Sequence, residues 1–160
     1  MVVDLLYLRL SQFGKATRKR QRAEITMGLS QKRLRFERAQ VVEEDIGHCR
    51  VEVTLTHAGR VIQASASGPD SGLGPLKSAA VAALLAVEDA AEGRFKCRVA
   101  DLDHVNALGK DLIAVLVDVD FEGRDVQVFG SCPVQESDVV TACKAALNAT
   151  NRFFELAMRN

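Results

Sequence analysis

A set of residues between positions 51 and 69 returns 64 positions later, and this restricts the chain to folds built from two like halves. Val51, Val53, Gly59, Arg60, Gln63 and Pro69 recur as Val115, Val117, Gly123, Arg124, Gln127 and Pro133. Ala82-Ala83-Leu84 recurs as Ala145-Ala146-Leu147 at an offset of 63, so a one-residue gap separates the loops of the two copies. Self-similarity on this scale marks a supersecondary unit used more than once, and fusion of a duplicated unit is the economical explanation.

The pattern inside the first copy defines the unit. Leu34, Phe36 and Val41 suggest one strand, broken from Asp45 to Gly47. Val51, Val53 and Leu55 recur with period two, as on a strand with one buried face, and Ala58-Gly59 supplies the turn into a third strand at 61–66. A helix follows, with Pro75 in its first turn, where a missing N–H costs nothing, and with Leu76, Ala80, Ala83, Leu84 and Val87 on one face up to Gly93. Residues 95–158 repeat this order, and the second helix is longer, carrying Val139, Cys143, Ala146, Leu147, Thr150 and Phe154 along one side with Phe153 beside them. The prediction is an α+β domain of two pseudo-symmetric βββα units, about 33–93 and 94–160, whose apolar faces cover each other. With no Trp and a single Tyr, its core must be small aliphatic side chains packed closely.

Residues 1–32 read as a separate N-terminal arm. Apolar positions in 2–13 fall at helical spacing, and Lys15, Arg18, Lys19, Arg20 and Arg22 follow as a basic run. Residues 1–38 hold ten Lys/Arg against three Asp/Glu, so a chain of zero net charge consists of a basic arm on an acidic body. The arm is expected to be solvated or to touch the body, an acidic partner or a polyanion. The surplus apolar surface of the second helix is expected to receive the arm or a second subunit, and a homodimer is expected. Cys49, Cys97, Cys132 and Cys143 form no C-x-x-C pair, and the apolar start is too short to span a bilayer, which points to a soluble, cytoplasmic protein with reduced thiols and no membrane contact.

Little in the sequence promises catalysis. His48, His57 and His104 lack metal-ligand spacing, no nucleophile elbow is present, and Cys143 reads as a core residue. Asp118 and Asp120 alternate with Val117 and Val119, as on a solvated strand face. No enzyme activity, metal or cofactor is expected. The most informative segment is Gly68-Pro69-Asp70-Ser71-Gly72-Leu73-Gly74-Pro75. Its glycines allow close backbone approach to a ligand, and free N–H groups at a helix start attract carboxylate or phosphate; an ordinary strand-to-helix turn accounts for the same residues.

Gly72-Leu73-Gly74-Pro75-Leu76-Lys77-Ser78-Ala79 resembles the G-x-G-P-V-x-A segment of the C-terminal regulatory domain of α-isopropylmalate and citramalate synthases. Residues 138–152, starting at Asp138 and ending at Arg152, are similar to the last helix of that domain. The resemblance covers about residues 33–155. It implies a dimerising, allosteric pair of βββα units that binds leucine or isoleucine beside a partner enzyme, without the family's catalytic barrel. The ligand positions it implies are Gly72, Gly74, Pro75 and Ala79 in the first unit and Gly130 and Asp138 in the second. The second unit departs from the family at Gly130-Ser131-Cys132-Pro133, where a G-x-G turn is usual. The alternative is a double-stranded-RNA-binding module, which shares the order helix, three strands, helix. The segment Pro75-Leu76-Lys77-Ser78 lacks the lysine cluster of such domains, so nucleic acid is not the expected partner.

Overall fold

Alternation of apolar and polar residues gives each half of the chain a three-stranded antiparallel sheet. The computed structural model describes residues 33–159, so the expected helix at 2–13 and the basic run at 15–22 lie outside the described residues. Strands β1 (Arg35–Asp45), β2 (His48–His57) and β3 (Arg60–Pro69) pair in the order β1-β2-β3, and helix α1 (Gly74–Ala90) follows. Strands β4 (Phe95–Ala107), β5 (Lys110–Phe121) and β6 (Arg124–Pro133) pair as β4-β5-β6, followed by helix α2 (Asp138–Ala157). Both central strands alternate as read: Cys49, Val51, Val53 and Leu55 are buried on β2, and Ile113, Val115, Val117 and Val119 on β5. Each such aliphatic side chain contributes about 1.5–3 kcal/mol when fully buried.

The hairpins repeat in detail. Ala58 and Gly59 have φ of 50° and 80°, and Glu122 and Gly123 have 54° and 72°. Two successive positive φ values are the requirement of the turn whose twist matches that of paired strands. Val51 pairs with Ala66 and Val53 with Ala64, while Val115 pairs with Gly130 and Val117 with Val128, so the register of β2 on β3 recurs on β5 and β6 at the offset of 64. The first strands differ. β1 has register shifts between Phe36 and Arg38 and between Glu43 and Asp45, whereas β4 has one, between Val99 and Asp101.

Each helix covers the inner face of its own sheet, and the helices pack on each other, so the two sheets lie outermost. α1 packs on β2 and β3 and reaches β4; α2 packs on β5 and β6 and reaches β1. α1 is buried on more than one face because it lies among these elements, and its alanines allow that: Ala79, Ala80, Ala82, Ala83 and Ala86 are all at 0% exposure. Cys143 Sγ on α2 donates to the Ala79 carbonyl at 3.5 Å, where the helices meet. The crossings to the other half are tied by polar contacts. Glu88 of α1 accepts from Lys96 Nζ at 3.0 Å and from the Cys97 N–H at 2.6 Å, and Lys144 Nζ of α2 lies 5.8 Å from the centre of the Phe36 ring. Residues of both halves belong to one continuous apolar core.

The outer sheet faces are unlike. On the first sheet Arg38, Gln40, Glu52, Thr54, Gln63 and Ser65 share this face, and Gln40 Nε2 donates to Glu52 at 3.0 Å. On the second, Asp118 and Asp120 lie at one end as the alternation predicts, and Leu112, Leu116 and Phe129 share the rest with Asp101, Asp103 and Ser131, with Phe129 64% exposed.

Candidate ligand cleft at the start of the first helix

The chain leaves β3 at Pro69 and turns sharply into α1. The Asp70 N–H donates to the Gly47 carbonyl at 3.1 Å, which ties the loop to the β1–β2 turn. Gly74 N–H donates to Ser71 O at 3.0 Å and Lys77 N–H to Leu73 O at 2.9 Å, so the loop closes on itself as the helix starts. A Cβ on Gly74 would lie 2.0 Å from the Pro69 carbonyl oxygen, so only glycine allows this turn. No side chain caps α1: the position before it is Leu73, which has no capping atom. With the Gly74 and Lys77 N–H groups taken by the loop and none on Pro75, the Leu76 N–H and the positive end of the helix dipole are what this start offers.

Beside this start, between α1 and the edge strand β3, lies an open cleft of about 480 Å³. Its walls include Ala66 and Gly68 from β3, Leu73 from the loop, and Lys77, Ser78 and Val81 from α1. Among the described residues Lys77 is the only charged side chain in the cleft walls, and it is the only basic residue on α1. The cleft can take a small molecule with an aliphatic portion and one negative group. Depressions on the outer sheet faces are of another kind, because their polar walls are already engaged, as in Gln40 with Glu52 and Gln127 with Asp118.

The six residues singled out from the sequence fall into two groups. Gly72, Gly74 and Pro75 meet at the start of α1; Gly72 is exposed with φ +56° and has open space where a side chain would stand. Of these three only Gly74 lines the cleft, and the other three residues lie away from the start of α1. Ala79 is fully buried between the helices. Gly130 lies beneath α2, where a Cβ would come within 2.2 Å of Ala145 O and 2.5 Å of Ala149 N. Asp138 opens α2, with its carboxylate 3.5 Å from His104 Nε2. The residues that sequence reasoning missed are Lys77, Ser78, Val81 and Ala66. Their one signal was Ser78, a polar residue within the buried part of an alanine-rich helix.

Among the described residues no group of three or more His, Cys, Asp or Glu comes together to hold a metal ion. Burial pushes the Cys97 thiol up to about 12, with Glu88 adding to the effect and Lys96 opposing it; burial also pushes Cys143 up to about 12. Both are protonated near neutral pH and are poor nucleophiles. All four cysteines are free, and no described helix is long and apolar enough to cross a membrane. No protein-family model matches the chain, and no curated protein matches it in sequence.

Proposed function

We propose that the chain is a non-catalytic regulatory or assembly domain, made of two duplicated βββα units, that binds a branched-chain amino acid or similar small anion and acts as a homodimer beside a partner enzyme. The observation that carries this reading is the start of α1: an uncapped helix end, a glycine-shaped turn and an aliphatic cleft with a single lysine come together there. The recurrence of strand register at the offset of 64 supports the duplication. The resemblance of residues 72–79 and 138–152 to a regulatory domain supports the ligand class. Phe129, 64% exposed beside Leu116 on the outer face of the second sheet, supports the dimer, because an exposed aromatic ring there gains from a cover.

Isothermal titration of the full chain with leucine, isoleucine and valine tests the ligand half. Heat with any of them is the expected result, and no heat with any leaves only the assembly role. Light scattering on wild type and Phe129→Asp tests the other half: a dimer that becomes a monomer is expected, and a wild-type monomer at micromolar concentration refutes it.

A further inference from the structure

We infer that the cleft at the start of α1 selects a small aliphatic monocarboxylate without an ammonium group, its carboxylate held by Lys77 Nζ and the Ser78 hydroxyl. This rests on the reading of the cleft as a ligand site. Among the described residues four polar side chains are buried: Ser78, Glu88, Thr141 and Thr150. Three are engaged inside the fold. Glu88 accepts from Lys96 and Cys97, Thr141 Oγ1 donates to Ser137 O at 2.9 Å, and Thr150 Oγ1 donates to Ala146 O at 3.1 Å. Ser78, only 5% exposed, is the exception: its hydroxyl bonds to no described residue, and it stands in the cleft wall. A Cβ on Gly68 would lie 2.5 Å from Ser78 Oγ, so only a glycine leaves room for the hydroxyl. Among the described residues the side-chain atoms sealed from solvent without a hydrogen bond are Arg50 Nε and His57 Nδ1, so the Ser78 hydroxyl still reaches the cleft and can bond to what enters it.

Charge then narrows the class. Lys77 pairs with a carboxylate at the helix end that already favours negative charge. Among the described residues no carboxylate stands in the walls to receive an ammonium group, while Ala66, Leu73 and Val81 offer apolar contact to a short branched tail. An amino acid would bring its ammonium to walls whose one charged side chain, among the described residues, is a lysine. The same skeleton without the ammonium meets no such penalty.

The test is calorimetric titration of the full chain with 4-methylpentanoate and with leucine, which share a carbon skeleton and differ by the ammonium group. The carboxylate is expected to bind about tenfold more tightly than leucine, and more weakly as salt is added. Ser78→Ala is expected to weaken it about tenfold, and Lys77→Met by at least as much. Lys77 is exposed, so its variant keeps the fold and decides the matter should Ser78→Ala unfold. Leucine binding as tightly as 4-methylpentanoate overturns the selectivity while the ligand cleft stands. Unchanged affinity in Lys77→Met overturns the assigned contacts, and silence with both ligands removes the cleft reading itself.

Discussion

The two helices begin in opposite ways. At α2 the preceding residue is Ser137, held extended at φ −88° and ψ 151°, and its side chain accepts from the Val140 N–H at 3.2 Å. Asp138 adds negative charge in the first turn, and Lys144 is held by Glu136 at 3.0 Å. At α1 the preceding residue is Leu73 at φ −83° and ψ 3°, with no cap and no acid in the first turn. The start of α2 is therefore capped by a side chain, while that of α1 is closed by backbone bonds from Gly74 to Ser71 and from Lys77 to Leu73, with Pro75 carrying no N–H. One fold thus carries a helix start with a side-chain cap and one without, and the one without borders the cleft.

The halves also differ in where a sheet glycine makes room for the helix above it. Gly68 does so near the start of α1, for the Ser78 side chain; Gly130 does so at the middle of α2, for the backbone of Ala145 and Ala149. The position matching Gly130 in the first half is Ala66. Gly130→Ala is the sharpest way to break this comparison, because the new methyl meets helix backbone that cannot rotate away. A loss of about 3 kcal/mol or more is expected by chemical denaturation, against about 1 kcal/mol or less for Ala66→Gly. Similar losses at the two sites would refute the difference in approach.

Raising the pH gives the next effect. A thiol ordinarily near 9.0 that is held up to about 12 in the fold keeps its proton after the unfolded chain has lost it. The stability this contributes is fully present below pH 9 and is lost as pH rises toward 12. Cys143 alone accounts for about 1.4 kcal/mol per pH unit in that window. Denaturation measured from pH 8 to 11 is expected to decline more steeply in wild type than in Cys143→Ala, and parallel curves would contradict the burial argument. Ser137→Ala, which opens the start of α2, is expected to cost about 1 kcal/mol of stability. The smallest effect concerns the turn at Leu108, fully exposed with φ 54°: Leu108→Asn suits that conformation and is expected to raise stability by about 0.5 kcal/mol.

Much of the fold was legible because its causes are local. Period two at Val51–Leu55, the positive-φ pairs Ala58-Gly59 and Glu122-Gly123, and Pro75 in the first turn of a helix each act within a few residues. β3 was read short, at 61–66, because the alternation of Ala with Ser is a weak strand signal; pairing with β2 carries it to Pro69. The site was half legible. The loop glycines marked the place, but a glycine that admits a ligand and one that admits a helix look alike in sequence, and Gly130 is the latter by position. Ser78 stayed hidden because its meaning depends on which neighbours are already bonded, a property of the whole packing.

Backbone amide shifts during titration with 4-methylpentanoate test most directly whether only the start of α1 binds. The account predicts movement at Leu76, Lys77 and Ser78 and stillness at Val139, Val140 and Thr141. Movement at the start of α2, or none at either, would contradict it.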